Sequence, residues 1–219
     1  STLDTAFWHF KRYQMPFVAL LFPLAGWGAM WLWSVGARRA VPLRYVSYAV
    51  VGILLAGSMW TWPQFLQHYA LNASYVYLQP YQMARWLQAN TPGDAVVAVH
   101  DTGLLRYMGE RTTIDMVGLT TPGAADYWRN GPGAVAEFLM DKRPDFIAAY
   151  GPGHGFGLSM VADTDIYGKP LAEFPVTLDD RYNVALAAAY QGIYKPEWDA
   201  IKLWPAGLQT GIWNYGTVN

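Results

Sequence analysis

The stretch MPFVALLFPLAGWGAMWLWSV at residues 15–35, followed after nine residues by YVSYAVVGILLAGSMWTWP at 45–63, decides the architecture of this chain. Neither run holds a charged residue, and each is close to the ~20 residues that an α-helix needs to cross hydrocarbon. The expected architecture is a two-helix transmembrane hairpin followed by a water-soluble domain. A cleaved signal peptide fits less well, because the first run is 21 residues long and fourteen residues including Trp8 and Phe10 precede it. A buried hairpin in a soluble protein would need a larger surrounding core than the rest of the chain offers.

Charge sets the expected orientation. The link at 36–44 carries Arg38, Arg39 and Arg44, Lys11 and Arg12 precede the first run, and no Lys or Arg follows the second run until Arg85. The positive-inside rule then places the link in the cytoplasm and both flanks outside. The expected division is an extracytoplasmic flank at 1–14, two spans within 15–63 and an extracytoplasmic domain at 64–219. Tyr13, Trp31, Trp33, Tyr45, Trp60 and Trp62 fall near the span ends, where amphipathic rings favour the interface. In the first span, Pro23 is expected to kink the helix, and Gly26 and Gly28 are candidates for close approach to another helix.

The net charge of −1 hides an asymmetry: residues 1–63 hold five Lys/Arg and one Asp, whereas 64–219 hold ten Lys/Arg and fifteen Asp/Glu. An acidic tail is a poor partner for nucleic acid or for anionic lipid headgroups. With no Cys in the chain, disulfides, thiolate zinc sites and c-type haem attachment are excluded.

Within the tail, residues 78–90 space Tyr81, Ala84 and Leu87 three apart and predict a helix that Thr91-Pro92-Gly93 stops. Ala95-Val96-Val97-Ala98-Val99 follows, a continuous apolar run of the kind found in strands covered on both faces. The unit recurs fifty-two residues later: Ala136, Phe138, Leu139 and Pro144 repeat Ala84, Trp86, Leu87 and Pro92, and Phe146-Ile147-Ala148-Ala149-Tyr150 repeats the apolar run. Thr112 to Val117 is a third strand candidate. Helix and strand in alternation predict an α/β domain with a mainly parallel sheet. Beyond Tyr150, the pieces 171–176, 184–190 and 200–204 are strands or short helices that pattern alone does not assign.

The string His100-Asp101-Thr102-Gly103-Leu104-Leu105-Arg106-Tyr107, Arg111 through Leu119, Thr121-Pro122 and Lys142-Arg143-Pro144-Asp145 resemble the extracytoplasmic tail of bacterial multi-span glycosyltransferases that use polyprenyl-phosphate sugars, the dolichyl-phosphate-mannose mannosyltransferase type. Arg12-Tyr13 before Pro16 is similar to the start of a late span in those enzymes, and the resemblance covers about residues 11–150. It implies an inner (plasma) membrane location with the tail in the periplasm, and a polyprenyl-phosphate lipid as ligand in the enzyme reading. The family's catalytic carboxylate lies in its first extracytoplasmic loop, and no position here matches it. The expected function is therefore a membrane-anchored accessory or scaffold subunit of a larger membrane complex, partnered by the bilayer and other membrane-protein subunits; the alternative is the C-terminal portion of such a transferase.

Other candidate residues follow from chemistry. His100 and Asp101 end one expected strand and Asp115 another, so all three fall at the carboxyl edge of a parallel sheet, where ligands sit in such folds; a turn carboxylate and a strand-end histidine are the simpler reading. Asp163 and Asp165 have the D-x-D spacing that shares a divalent cation, although two Asp in a polar loop are ordinarily just solvated. His154 lies in a Gly-rich loop that lacks phosphate-binding spacing, and His9 and His68 flank the apolar runs as solvated side chains rather than haem ligands. Asn72-Ala73-Ser74 is a glycosylation sequon read as chance. No cofactor is expected, and Trp213 is a candidate aromatic anchor for a partner.

Overall fold

The computed structural model describes residues 15–38, 41–152 and 159–199. The chain divides into two compact units: the first comprises the long helices up to Ser74 together with Asp179–Ala185, and the second runs over Tyr75–Leu178 and resumes at Leu186.

In the first unit, α1 (Met15–Arg38) continues through Pro23, and α2 (Val41–Val76) continues through Pro63. The link is thereby reduced to residues 39–40, outside the described residues, because 36–38 close α1 and 41–44 open α2. At 1.5 Å per residue, the 24 residues of α1 span about 36 Å and the 36 of α2 about 54 Å. Both contain a segment long and apolar enough to cross a membrane. Among the described residues, the apolar side chains of α1 and of α2 as far as Tyr69 are largely exposed, with Trp27 at 70% and Trp60 at 79%. Three hydroxyls are satisfied within their own helix: Ser34 Oγ donates to the Trp31 carbonyl at 2.8 Å, Ser58 Oγ to the Leu54 carbonyl at 2.9 Å and Thr61 Oγ1 to the Ser58 carbonyl at 3.0 Å. The rings of Trp33 and Tyr48 meet at 4.9 Å.

Asn72 closes the other end of this unit. Its Nδ2 donates to the carbonyls of His68 and Tyr182, both at 2.9 Å, while its Oδ1 accepts from the Val184 N–H at 2.8 Å. The segment 179–185 is thus pinned to α2 by a side chain that is 2% exposed.

The second unit opens with a single π-helical turn (Tyr77–Tyr81) containing Pro80, which lacks the N–H that an α-turn would need. Then come α3 (Gln82–Asn90), β1 (Val96–Val99), α4 (Thr102–Gly109), β2 (Thr112–Asp115), α5 (Ala124–Arg129), α6 (Pro132–Lys142), β3 (Phe146–Tyr150), β4 (Tyr167–Pro175) and β5 (Tyr190–Pro196). They form one five-stranded sheet of order β2-β1-β3-β5-β4. Side chains alternate across it. Val97, Val99, Ala148 and Ile193 meet Met83, Ala84, Leu87 and Leu105 of α3 and α4 on one face. Ala98, Ile147, Ala149 and Tyr194 meet Val135, Phe138 and Leu139 of α6 on the other. Each fully buried Leu in these layers contributes about 1.5–3 kcal/mol. Because β2 lies on one side of β1 and β3 on the other, crossovers of the same hand must use opposite faces, as α4 and α6 do.

The helix–Pro turn–strand repeat therefore becomes two neighbouring parallel strands, with Val97 opposite Phe146 and Val99 opposite Ala148. The sheet as a whole is mixed, however, and the expectation of a mainly parallel sheet is corrected: β5 runs antiparallel to both β3 and β4. Residues 171–176 fall largely within β4, whereas 184–189 form neither strand nor helix. β4 is an exposed edge strand interrupted at Pro170, where the register shifts, as expected of a residue with no ladder donor. Residues 200–204 lie outside the described residues.

Candidate functional site at the carboxyl edge of the sheet

After Val99 the chain turns through His100-Asp101 into α4. The chain leaves β1 toward β2 on one side and leaves β3 toward β4 on the other, which opens a switch point between β1 and β3, the position where ligands bind in doubly wound sheets. Asp101 is the N-cap residue of α4, yet its side chain makes no capping bond to the helix. It is committed elsewhere. His100 Nδ1 lies 3.2 Å from Oδ1, while Oδ2 accepts from Gln191 Nε2 at 2.8 Å and from the Tyr150 hydroxyl at 3.4 Å. Tyr150 ends β3, Gln191 stands at the start of antiparallel β5, and the two are register partners. The ends of three adjacent strands thus converge on one carboxylate. The His100 ring stands edge-on to Tyr150 at 4.9 Å, with Trp128 of α5 at 6.1 Å.

Partial burial works to raise the Asp101 carboxyl, but the hydrogen bond and charge of His100, followed by the donors of Gln191 and Tyr150, outweigh it and hold the group below its ordinary value. Burial, and then the Asp101 charge, push the Tyr150 hydroxyl well above its ordinary value, so it remains a donor. Nδ1 is the ring nitrogen of His100 that faces the carboxylate. Among the described residues no serine or threonine hydroxyl is hydrogen-bonded to His100. Gly151, just beyond β3, is required for packing, because a Cβ there would overlap the Tyr190 ring and the Tyr194 hydroxyl.

Asp115, the third candidate, belongs to a different arrangement. It is fully buried; Oδ1 accepts from the Val117 N–H at 2.9 Å and Oδ2 from the Thr120 N–H at 2.7 Å and the Thr120 hydroxyl at 3.3 Å, while its own N–H donates to Thr121 Oγ1 at 2.8 Å. Its oxygens organise the loop after β2. Asp163 is exposed on a 3-10 turn and Asp165 follows it in the left-handed region, and among the described residues no three acidic or histidine side chains group around a cation position. Gly26 and Gly28 sit on α1 with open space where a Cβ would stand. His68 Nε2 donates to the Tyr182 carbonyl at 2.7 Å, and the sequon residue Asn72 is buried with both amide atoms engaged. Trp213, His154 and His9 lie outside the described residues.

Sequence reasoning placed His100 and Asp101 but missed Tyr150 and Gln191. Tyr150 closes an apolar strand run and was within reach of the strand-end argument; Gln191 carried no local signal, since its place depends on an antiparallel return from far along the chain. At the opposite edge, where β1 and β3 begin, a cleft of about 390 Å³ is lined by Asp94, Arg143, Asp145, Lys195 and Trp198, two cations set against two carboxylates.

Residues 67–213 match the family described as Domain of unknown function (DUF8728). The chain belongs to that family. No curated protein and no solved structure matches it. The DUF8728 region takes in the whole sheet and therefore every residue of the carboxyl-edge cluster.

Proposed function

We propose that this chain is a membrane-anchored accessory or scaffold subunit of a larger membrane complex, non-catalytic in itself, with α1 and α2 in an inner (plasma) membrane and the sheet domain on the extracytoplasmic, periplasmic side. The observation that carries this reading is that the apolar side chains described along α1, and along α2 from Tyr45 to Tyr69, are largely exposed. A helix of that kind belongs in lipid or against other apolar helices, because leaving Trp, Leu and Phe side chains in water forfeits roughly 25 cal/mol per Å². The open space at Gly26 and Gly28 supports close approach of a partner helix. The arginines at 38, 39 and 44 support a cytoplasmic link. In the second reading, the chain is the rear portion of a polyprenyl-phosphate-sugar glycosyltransferase; what favours it is that the resembling strings from His100 to Leu119 fall together in the turn after β1, α4, β2 and the loop after it.

One experiment addresses both. The chain is expressed in cells with single Cys residues at Ala37 or Ala125, labelled with a membrane-impermeant reagent, and purified in mild detergent with whatever accompanies it. Labelling at 125 but not 37, with co-purifying membrane proteins lost on Gly26→Leu and Gly28→Leu, is the expected result. Labelling at 37 in intact cells overturns the orientation. Sugar transfer from lipid-phosphate donors by this chain alone overturns the scaffold reading.

A further inference from the structure

The cleft at the edge where β1 and β3 begin holds four charged side chains that the fold leaves unpaired with one another. Asp94 and Asp145 come from the turns that lead into β1 and β3, Arg143 follows α6, and Lys195 stands near the end of β5. All four are exposed, and all four border one cleft of about 390 Å³, a size that admits a small ligand. The ion pairs among the described residues are His100–Asp101, Arg129–Asp126 and Lys142–Asp141, so neither cation of the cleft is bonded to either of its carboxylates.

Two of the four are held in place rather than left to swing in water. Asp145 Oδ2 accepts from the Val96 N–H at 2.8 Å, while the Asp145 N–H donates to the Val96 carbonyl at 2.8 Å, which ties this carboxylate to the first residue of β1. Arg143 has φ 45°, in the left-handed region where a helix ordinarily ends on glycine or asparagine. A cation at a helix C-terminus is usually explained by the dipole, but Lys142 already serves that end of α6. The Arg143 guanidinium lies instead over the Trp198 ring, 5.7 Å from its centroid, so a strained backbone position carries a side chain braced against the chain beyond β5.

The rest of the wall is apolar, made by Pro92, Phe146, Pro196 and Trp198. A lone anion entering this cleft meets carboxylates as well as cations, and Glu197 and Asp199 oppose it further from an adjoining hollow that shares Arg143 and Trp198. A lone amine meets Arg143 and Lys195. A molecule with one charge of each sign on an apolar frame gains from both. We propose that the cleft binds a small amino acid, its carboxylate toward Arg143 and Lys195, its ammonium toward Asp94, and its apolar side chain against Phe146 and Trp198. The guanidinium fork suits a carboxylate, and an ammonium supplies the donors that Asp94 can accept. The cleft is built by the sheet domain alone, so this site stands whether or not the helices anchor the chain in a membrane.

The test uses the full chain in detergent at about pH 6.5, where amines and carboxyl groups are both charged. Three probes share one side chain: L-leucine, N-acetyl-L-leucine, which keeps only the negative charge, and L-leucinamide, which keeps only the positive one. Ligand-observed NMR is expected to show saturable binding of L-leucine, with the other two at least tenfold weaker. Arg143→Gln and Asp94→Asn, both at exposed positions, should each weaken L-leucine binding at least fivefold. Arg143→Gly, which relieves the backbone, should lose binding while the domain melts no lower than the native chain. Lys142→Gln, which removes the neighbouring cation paired with Asp141, should leave binding unchanged. Absence of L-leucine binding, equal binding of either singly charged probe, or L-leucine binding that survives both Arg143→Gln and Asp94→Asn would overturn the proposal.

Discussion

Arg111 Nε donates to Thr91 Oγ1 at 3.0 Å, joining the start of β2 to the residue that ends α3. The same guanidinium bonds the carbonyls of Gln88 and Thr91 at 2.8 Å and those of Gly109 and Glu110 at 3.3 Å, so one buried cation satisfies the last turns of both α3 and α4. Among the described residues no carboxylate takes part. The negative ends of two helix dipoles, with their unpaired carbonyls, supply the compensation.

Arg111→Met is therefore expected to destabilise the sheet domain by about 2–4 kcal/mol, since it keeps much of the packing volume and abandons several buried acceptors. Arg111→Lys should recover only part of that loss, because a point ammonium cannot reach four carbonyls and a hydroxyl in fork geometry. Chemical denaturation of the purified chain, followed by far-ultraviolet circular dichroism, measures both; equal stability of Met, Lys and native forms would remove the guanidinium from this role.

Asn72→Leu should free the segment 179–185 from α2 while leaving the sheet core intact. The native amide makes two bonds across about 110 residues of sequence, to the Tyr182 carbonyl and from the Val184 N–H, and Leu can make neither. Hydrogen exchange at the Val184 amide is the direct readout. Its protection should fall by one to two orders of magnitude, for a loss of roughly 1–3 kcal/mol, and exchange at Val97 should not change.

A third expectation concerns the centre of the sheet. Val97 is fully buried in β1 against α3 and α4, with β2 and β3 on either side. Val97→Asp places an unpaired carboxylate there at a cost of several kcal/mol, comparable to the whole stability of many domains. Loss of cooperative melting of the domain is the expected outcome, whereas Val97→Ala should lower stability by only about 1–3 kcal/mol.

The Asp101 network makes stability depend on acid. Its folded carboxyl titrates below the ordinary value of about 3.9, so on acidification the unfolded chain takes up the proton first. The stabilisation it provides is present above about pH 4 and is lost as pH falls through the folded pKa. Asp101→Asn removes this dependence. The gap in melting temperature between native chain and variant should be widest near neutrality and narrow progressively below about pH 4; a gap that stays constant across that range would show that the carboxylate is not preferentially ionised in the fold.

How far the architecture can be read from the chain depends on how local each signal is. The runs 15–35 and 45–63 announce long apolar helices because length and hydropathy are properties of contiguous residues. Even there, α2 passes through Pro63, where the composition suggested an end, because a helix can carry an interior proline when neighbouring turns absorb the missing bond. The strands at 96–99 and 146–150 were legible for the same reason, each a short apolar run following a helix and a proline turn.

By itself the sequence determined which segments are long apolar helices, that the runs 95–99 and 146–150 are buried strands of an α/β layer, and that His100 and Asp101 end the first of them. Only the tertiary structure decided that β5 returns antiparallel and brings Gln191 to Asp101 across ninety positions of sequence, that Arg111 closes two helices, and that Asp115 serves a loop rather than the carboxyl-edge cluster. Local periodicity specifies which way a side chain faces along its own strand. It carries no information about which distant strand lies alongside, and that choice follows from burying both faces of the sheet while finding a partner for each buried polar group.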